Sequence, residues 1–312
     1  EHRAGVRGFH IGEQLLAETR DLNVEVLLDS PVYALFPDRT VGYIRQGREE
    51  CLKADKIIIA AGAAENPLAF PGSTLPGVMG AGAAQTMINV HRVLPGRRVL
   101  MIGSGNVGLI VAYQLMQAGA EVVALIEAAP QIGGYGVHAA KIRRAGVPIH
   151  LSHTVKRALG REQVESVEIV ALDSRWQPVA GSEKMLAVDT VCVAVGLTPL
   201  TELAWLMGCE FVFVPSLGGH VPKHDLNMET TVSGVFIAGD ISGVEEASTA
   251  MEEGRLAGTA CAEALGLWDR ERARELKTVI RERMNALRTG PFGEGRRKAK
   301  ECLIGLSLGE QA

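Results

Sequence analysis

One hexapeptide, with its surroundings, constrains this chain more than anything else in it. Gly103-Ser104-Gly105-Asn106-Val107-Gly108 spells GxGxxG. Alone that pattern is weak. Here an apolar strand pattern, Arg97 to Ile102, runs straight into it, and a helical pattern, Asn106 to Ala118, opens inside it. A second strand pattern, Glu121 to Ile126, then delivers an acid, Glu127, at the spacing of about 20 residues that a dinucleotide turn requires. Strand, glycine turn, helix and strand in this order predict a parallel sheet. Each glycine has its own reason. Gly103 permits the tight turn, Gly105 lets the backbone approach a pyrophosphate, and Gly108 lets the helix pack close to the strand. The helix start adds free N–H groups and partial positive charge for phosphates. Glu127 is placed to accept hydrogen bonds from a ribose diol and to repel a 2′-phosphate. Ala128, Ala129 and Pro130 offer no cationic clamp, so NAD rather than NADP is expected.

The flanking chain extends the α/β reading. Ile11 to Thr19 reads as the end of an amphipathic helix, Asn23 to Leu28 as an apolar strand, and Val32–Phe36 with Val41–Arg45 as paired strands around Pro37-Asp38-Arg39. Lys56 to Ala60 is apolar after its first residue, as expected of a strand buried on both faces. A Pro- and Gly-rich crossing follows from Pro67 to Gly82, then a helix to Val93. Beyond Glu127, a helix is expected over Val137–Ala145 and a strand near Val147–Leu151. An antiparallel excursion is expected over Ala158–Leu186, and a largely apolar strand over Thr190–Val195 that ends in Gly196. Ile57–Pro67 and Val191–Pro199 echo one another: apolar strand, Gly, short loop, Pro. Two exits of one kind suggest two related nucleotide folds. Past a last strand at Val235–Ala238 come a helix from about Glu246 to Leu265 and a charged amphipathic helix from Trp268. Leu276, Val279, Ile280, Met284 and Leu287 form its apolar stripe. The basic, Gly-rich residues beyond Gly290 read as a loosely held end or as a docking segment for another subunit, with solvation as the default for their charge.

Thr230-Thr231-Val232-Ser233-Gly234-Val235-Phe236-Ile237-Ala238-Gly239-Asp240 resembles the second FAD motif of the pyridine nucleotide–disulfide oxidoreductase superfamily. Ile57-Ile58-Ile59-Ala60-Ala61-Gly62 resembles its "ATG" passage between domains, with Ala61 in place of Thr, and Val193 to Pro199 resembles the return. The resemblance covers roughly residues 20 to 265. Within the superfamily the texture is most like the alpha subunits of sarcosine oxidase, opine oxidase, hydrogen cyanide synthase and dye-linked proline dehydrogenase. Gly80-Ala81-Gly82-Ala83-Ala84-Gln85-Thr86 and Glu245 to Gly254 carry that impression.

The resemblance implies a glutathione-reductase-like α/β fold with two Rossmann-like units. An FAD-binding part, 1–66 plus 200–265, would be interrupted by an NAD-binding part, 67–199, and followed by a helical tail, 266–312. It implies FAD and NAD as cofactors. Asp240 would hold the ribityl chain, beside Gly239. Ala247 and Ser248 would head a helix aimed at the flavin's pyrimidine edge, where its dipole stabilises negative charge. Ala61, Gly62 and Gly196 would line the crossings. The superfamily's first FAD glycine motif has no counterpart within these residues and would lie upstream of Glu1, as would its catalytic disulfide where one exists.

Composition agrees without deciding. The chain has 36 glycines, only 4% aromatics and a net charge of −4, which gives no footing for nucleic acid or an anionic membrane. No apolar run is long enough to span a bilayer. Cys51, Cys192, Cys209, Cys261 and Cys302 are irregularly spaced, which excludes a local zinc or iron–sulfur cluster and makes a reducing cytoplasm the expected compartment. The start from Glu1 to Arg7 has no signal-peptide organisation. His150 and His153 read as strand-end residues, since nothing nearby completes a metal site. His220 and His224 read as loop polarity, and His2, Arg3 and Arg7 as residues near the implied flavin with no assigned role.

The expected activity is hydride and electron transfer between NAD(H) and an acceptor through FAD, with no catalytic acid or base legible. One alternative is the alpha subunit of an amine or amino-acid dehydrogenase complex in which the nucleotide site is structural. Another is a non-catalytic assembly subunit. Partners are then a small-molecule substrate or electron acceptor and a second flavoprotein, in an oligomer.

Overall fold

The computed structural model describes residues 6–290 and 293–309, with side chains as far as residue 304. Its centre is a five-stranded parallel sheet. In chain order its strands are β6 (Val78–Gly80), β7 (Arg98–Ile102), β8 (Glu121–Glu127), β9 (Ile149–Leu151) and β13 (Thr190–Val193), arranged β6-β13-β7-β8-β9. Side chains alternate across a strand, so each strand feeds two cores. Val99 and Met101 of β7 pack with α2 (Ala81–Thr86), α3 (Asn106–Gln117) and α4 (Gly136–Arg144). Leu100 and Ile102 face the antiparallel sheet of β10 (His153–Leu159), β11 (Ser166–Ala171) and β12 (Lys184–Ala187). That second core also takes Leu68, Phe70 and Leu75 from the crossing. The crossing is therefore no free linker: its middle is packed and its end is the sheet's edge strand, β6.

A separate core lies around β4 (Ile57–Ile59) and β17 (Val235–Ile237), which pair in parallel. Residues from β1 (Val32–Leu35), α5 (Glu202–Leu206), α6 (Ala247–Ala264) and α7 (Arg270–Leu287) close it, among them Leu35, Phe236, Leu256, Ile280 and Met284. Two expectations need correcting here. β4 is not buried on both faces, because Ile58 is 41% exposed. On α7 the buried stripe is Ala273, Lys277, Ile280 and Met284, while Leu276 and Val279 face outward.

Three further expectations are corrected, and one is extended. Asn23–Leu28 is irregular: Asn23 and Asp29 bracket it at positive φ, and no described strand pairs with it. The hairpin of β1 and β2 (Thr40–Arg45) carries a third strand, β3 (Arg48–Lys53). The echoed exits become strands, since β5 (Ala63–Glu65) pairs antiparallel with β14 (Leu197–Pro199). The segment beyond Gly290 is a docked helix, α8 (Glu294–Gly309), with Leu303 buried against Leu217 and Val221. α1 (Gly8–Asp21) buries no residue, and Arg7 precedes it; His2 and Arg3 lie outside the described residues. No described helix is long and apolar enough to cross a membrane.

Candidate functional site

The glycine turn sits where β7 ends and α3 begins, at the carboxyl edge of the parallel sheet. Gly103 has φ +101°, and a Cβ there would lie 2.2 Å from the Ala194 carbonyl oxygen. A Cβ on Gly108 would lie 2.2 Å from the Gly103 carbonyl oxygen. These two glycines are demanded by the protein's own packing. Gly105 differs: nothing lies within 4 Å of its Cβ position, and its φ is an ordinary −64°. The open cradle is thus at Gly105, at the head of α3. Val107, in the first turn of that helix, is 39% exposed.

Glu127 closes the turn from β8. Its Oε2 accepts from the Ser104 N–H at 2.8 Å and from the Ser104 hydroxyl at 2.6 Å, and its Oε1 accepts from the Ala129 N–H at 2.9 Å. With one bond accepted there, Oε1 keeps a lone-pair direction for another donor. The Ser104 hydroxyl also accepts from the Gly133 N–H at 3.0 Å, which lays the loop before α4 across the turn.

The second candidate turn follows β17. Gly239 has φ +76° and opens a short 3-10 turn, Gly239–Ser242. Asp240 is half-buried, and its Oδ1 accepts only a long bond, 3.4 Å, from the Glu245 N–H. Burial pushes its carboxyl above the usual carboxylate range, with Glu253 adding to the effect. Seven residues after Asp240, α6 begins at Ala247 with Glu246 as N-cap, and the Glu246 side chain makes no capping bond. The Glu246 carboxylate is instead drawn to the Asn106 amide at 3.2 Å and the Tyr135 hydroxyl at 3.1 Å. Ser248, half-buried, and exposed Ala247 therefore sit at a helix start left open for another partner.

Glu246 thus joins the two turns. Asn106, first residue of α3, touches the head of α6, and its Oδ1 also accepts from the Tyr135 N–H at 2.9 Å. Burial and the Glu246 charge push the Tyr135 phenol up. A cavity of about 210 Å³ opens along this seam, lined by Tyr135, Glu246, Ser248, Arg288 and Arg296 among others. The crossings lie beside the turns. Ala238 donates to the Ile59 carbonyl, so Ala61 and Gly62 leave β4 alongside Gly239 and Asp240. Ala194 donates to the Ile102 carbonyl, so Gly196 leaves β13 alongside Gly103.

Sequence reasoning missed several residues. Glu65 on β5 accepts from the Gly82 N–H at 2.6 Å, capping α2 from outside, and Cβ atoms on Gly80 or Gly82 would intrude on its carboxylate. Tyr135 and Glu246 were not singled out either. Nor was a buried cluster of Glu245, Glu253, Arg288 and Lys300, in which Arg288 binds Glu245 at 3.0 Å and Glu253 at 2.8 Å. Burial alone would raise the Glu253 carboxyl, but Lys300 and Arg288 hold it below the ordinary range. The run of acids in Glu245–Gly254 and the basic tail were the available signals. His224 is not loop polarity but buried, 2% exposed, with its Nε2 unpartnered; burial and Lys300 depress its pKa to about 4. His220 lies in β16 (Gly219–Pro222), edge-on to Phe213 of β15 (Phe211–Val214). The His150 and His153 rings lie 5.2 Å apart near the sheet edge.

A glycine turn at the carboxyl end of a parallel sheet, facing a second strand that ends in an acid, defines a protein of the two-unit dinucleotide-binding class. The family of pyridine nucleotide-disulphide oxidoreductases matches residues 4–254, and the chain belongs to it. An opine oxidase subunit of Agrobacterium tumefaciens (strain Ach5) is 28% identical over 265 residues, which is 79% of this chain and 53% of that protein. Hydrogen cyanide synthase subunit HcnB of Pseudomonas protegens is 28% identical over 254 residues, 73% of this chain and 54% of that protein. The chain thus spans about half the length of the curated relatives it matches. The crystal structure of T. acidophilum thioredoxin reductase shares the fold, with a TM-score of 0.67 at 20% identity over 83% of this chain and 81% of that one.

Proposed function

We propose that the protein is an FAD-dependent oxidoreductase in which NADH is the hydride donor and electrons leave to a separate acceptor. FAD, when bound, supplies the ability to take a hydride and release electrons; the chain's residues supply binding and orientation. The observation that carries this reading is the seam: Asn106 in the nucleotide turn is hydrogen-bonded to Glu246 at the head of α6, the helix that follows the Gly239–Ser242 turn, so the helix starts after the two turns are neighbours. Gly105 leaves room for a pyrophosphate, and the start of α3 offers its N–H groups to it. Ser104, Asn106 and Val107 form the rest of the turn between Gly103 and Gly108. Glu127 would accept from a ribose hydroxyl through Oε1.

The residues of the second turn fit a flavin. Asp240 lacks a strong partner of its own and would accept from the ribityl hydroxyls, with Gly239 giving close backbone approach. The uncapped start of α6, at Ala247 and Ser248, would donate to the pyrimidine edge. Ala61, Gly62 and Gly196 would bound the crossings between an FAD-binding and an NAD-binding part. Titrating the full-length protein with FAD, followed by flavin fluorescence, tests this half. Asp240→Ala should weaken binding by about tenfold or more, as expected when a hydrogen bond to a half-buried carboxylate is lost. Unchanged affinity would refute it.

A second reading is favoured by one finding: both curated relatives are named as subunits, and this chain spans about half of each. On that reading the chain works beside a second flavoprotein that oxidises an amine or amino acid, and its nucleotide turn holds a structural dinucleotide.

A further inference from the structure

The tail is woven into the second turn. Lys300, on α8, is 2% exposed, and its ammonium donates to the Ser242 carbonyl oxygen at 2.7 Å, the Ser242 hydroxyl at 2.7 Å and Glu253 Oε1 at 2.9 Å. The other Glu253 oxygen accepts from the Gly239 N–H at 3.1 Å and the Ser242 hydroxyl at 2.7 Å. One ion pair therefore grips both ends of the Gly239–Ser242 turn, with Asp240 between them. Inside the turn the Ser242 hydroxyl reaches the Gly239 carbonyl oxygen at 2.9 Å and the Gly243 N–H donates to the Asp240 carbonyl at 3.0 Å, but among the described residues the Gly239 N–H and the Ser242 carbonyl oxygen are held only by Glu253 and Lys300. Gly239 is at positive φ, and the turn is only one 3-10 coil long.

Stability does not require this arrangement. Desolvating an ammonium and a carboxylate costs about as much as their attraction returns, and a packed apolar pair is commonly as good or better. An ion pair sunk into a turn instead provides direction: here Lys300 fixes the Ser242 carbonyl oxygen and Glu253 fixes the Gly239 N–H. Lys300 and Arg288 also lie outside residues 4–254, where the family match ends.

We propose that Lys300, with Glu253, is a positioning residue for the flavin half-site: it sets the turn that presents Asp240, which makes the C-terminal helix part of the cofactor site. This rests on the reading of Asp240 as a flavin ligand. The test compares full-length wild type, Lys300→Met, and the neutral pair Lys300→Met/Glu253→Gln, which leaves no unpaired buried charge. FAD affinity is read by flavin fluorescence, NADH affinity by its own fluorescence, and folding by circular dichroism. The double variant should stay folded and bind NADH as wild type does, while FAD affinity falls about tenfold, the scale on which an orienting partner supports a ligand. Lys300→Met should lose at least as much FAD affinity.

A folded double variant with wild-type FAD affinity would overturn the proposal. So would a parallel loss of FAD and NADH binding, which would assign the pair to folding alone. Failure of wild type itself to bind FAD would overturn the Asp240 reading, and the positioning role with it.

Discussion

The three glycines of the nucleotide turn should respond to the same substitution in opposite ways. Gly108→Ala puts a methyl group 2.2 Å from the Gly103 carbonyl oxygen, where only backbone can give way. Forced overpacking of this kind costs about 1–3 kcal/mol. Gly103→Ala meets the Ala194 carbonyl at the same 2.2 Å and adds the strain of φ +101°, roughly 1–2 kcal/mol more. Gly105→Ala meets nothing within 4 Å at φ −64°, so reduced freedom of the unfolded chain should stabilise the fold by about 0.4–1 kcal/mol. Its methyl group, however, occupies the space left for the pyrophosphate. Thermal unfolding by circular dichroism and NADH titration by fluorescence read the two effects separately. The expected pattern is lower midpoints for Gly103→Ala and Gly108→Ala, and an equal or higher midpoint with lost NADH binding for Gly105→Ala. A Gly105→Ala protein that binds NADH like wild type would refute the assignment of the cradle. One as unstable as Gly108→Ala would refute the geometry.

Glu127→Gln should narrow the preference for NADH over NADPH, because repulsion of a 2′-phosphate is removed; parallel titrations with the two nucleotides check this. Glu65→Ala removes the external cap on α2 and should cost about 1 kcal/mol, read by chemical denaturation, with nucleotide affinity unchanged. His224 gives a pH dependence. Its folded pKa of about 4 lies below its ordinary 6.5, so between those values the unfolded chain binds the extra proton. Stability should therefore fall as pH drops from about 6.5 to 4, by up to about 3 kcal/mol, and His224→Gln should flatten that window in urea titrations.

The parts legible in sequence were those fixed by neighbours in the chain. The strand into Gly103, the helix from Asn106, the acid at Glu127 and the Gly239-Asp240 exit each follow from local pattern, and the structure has each element there. What was not legible depended on distance. Glu253 and Lys300 are 47 residues apart, and each alone reads as a solvated charge, one in a run of acids and the other in a basic tail. Glu65 reads as loop until β5 carries it to the start of α2, 17 residues on. β5 and β14 are too short to show alternation, and each exists because the other is beside it. Asn23–Leu28 failed the other way. Its apolar residues suit a strand, but a strand needs a neighbour to bond with, and none of the described strands supplies one.

In the proposed activity, NADH seated at the Gly103–Gly108 turn passes its hydride to a flavin held at Asp240. The most direct measurement is an anaerobic titration of the full-length protein with NADH, following the visible band of oxidised flavin. Rapid bleaching is expected, complete at one NADH per flavin. A bound flavin whose band ignores NADH would contradict it and leave the nucleotide turn with a structural role beside a second flavoprotein.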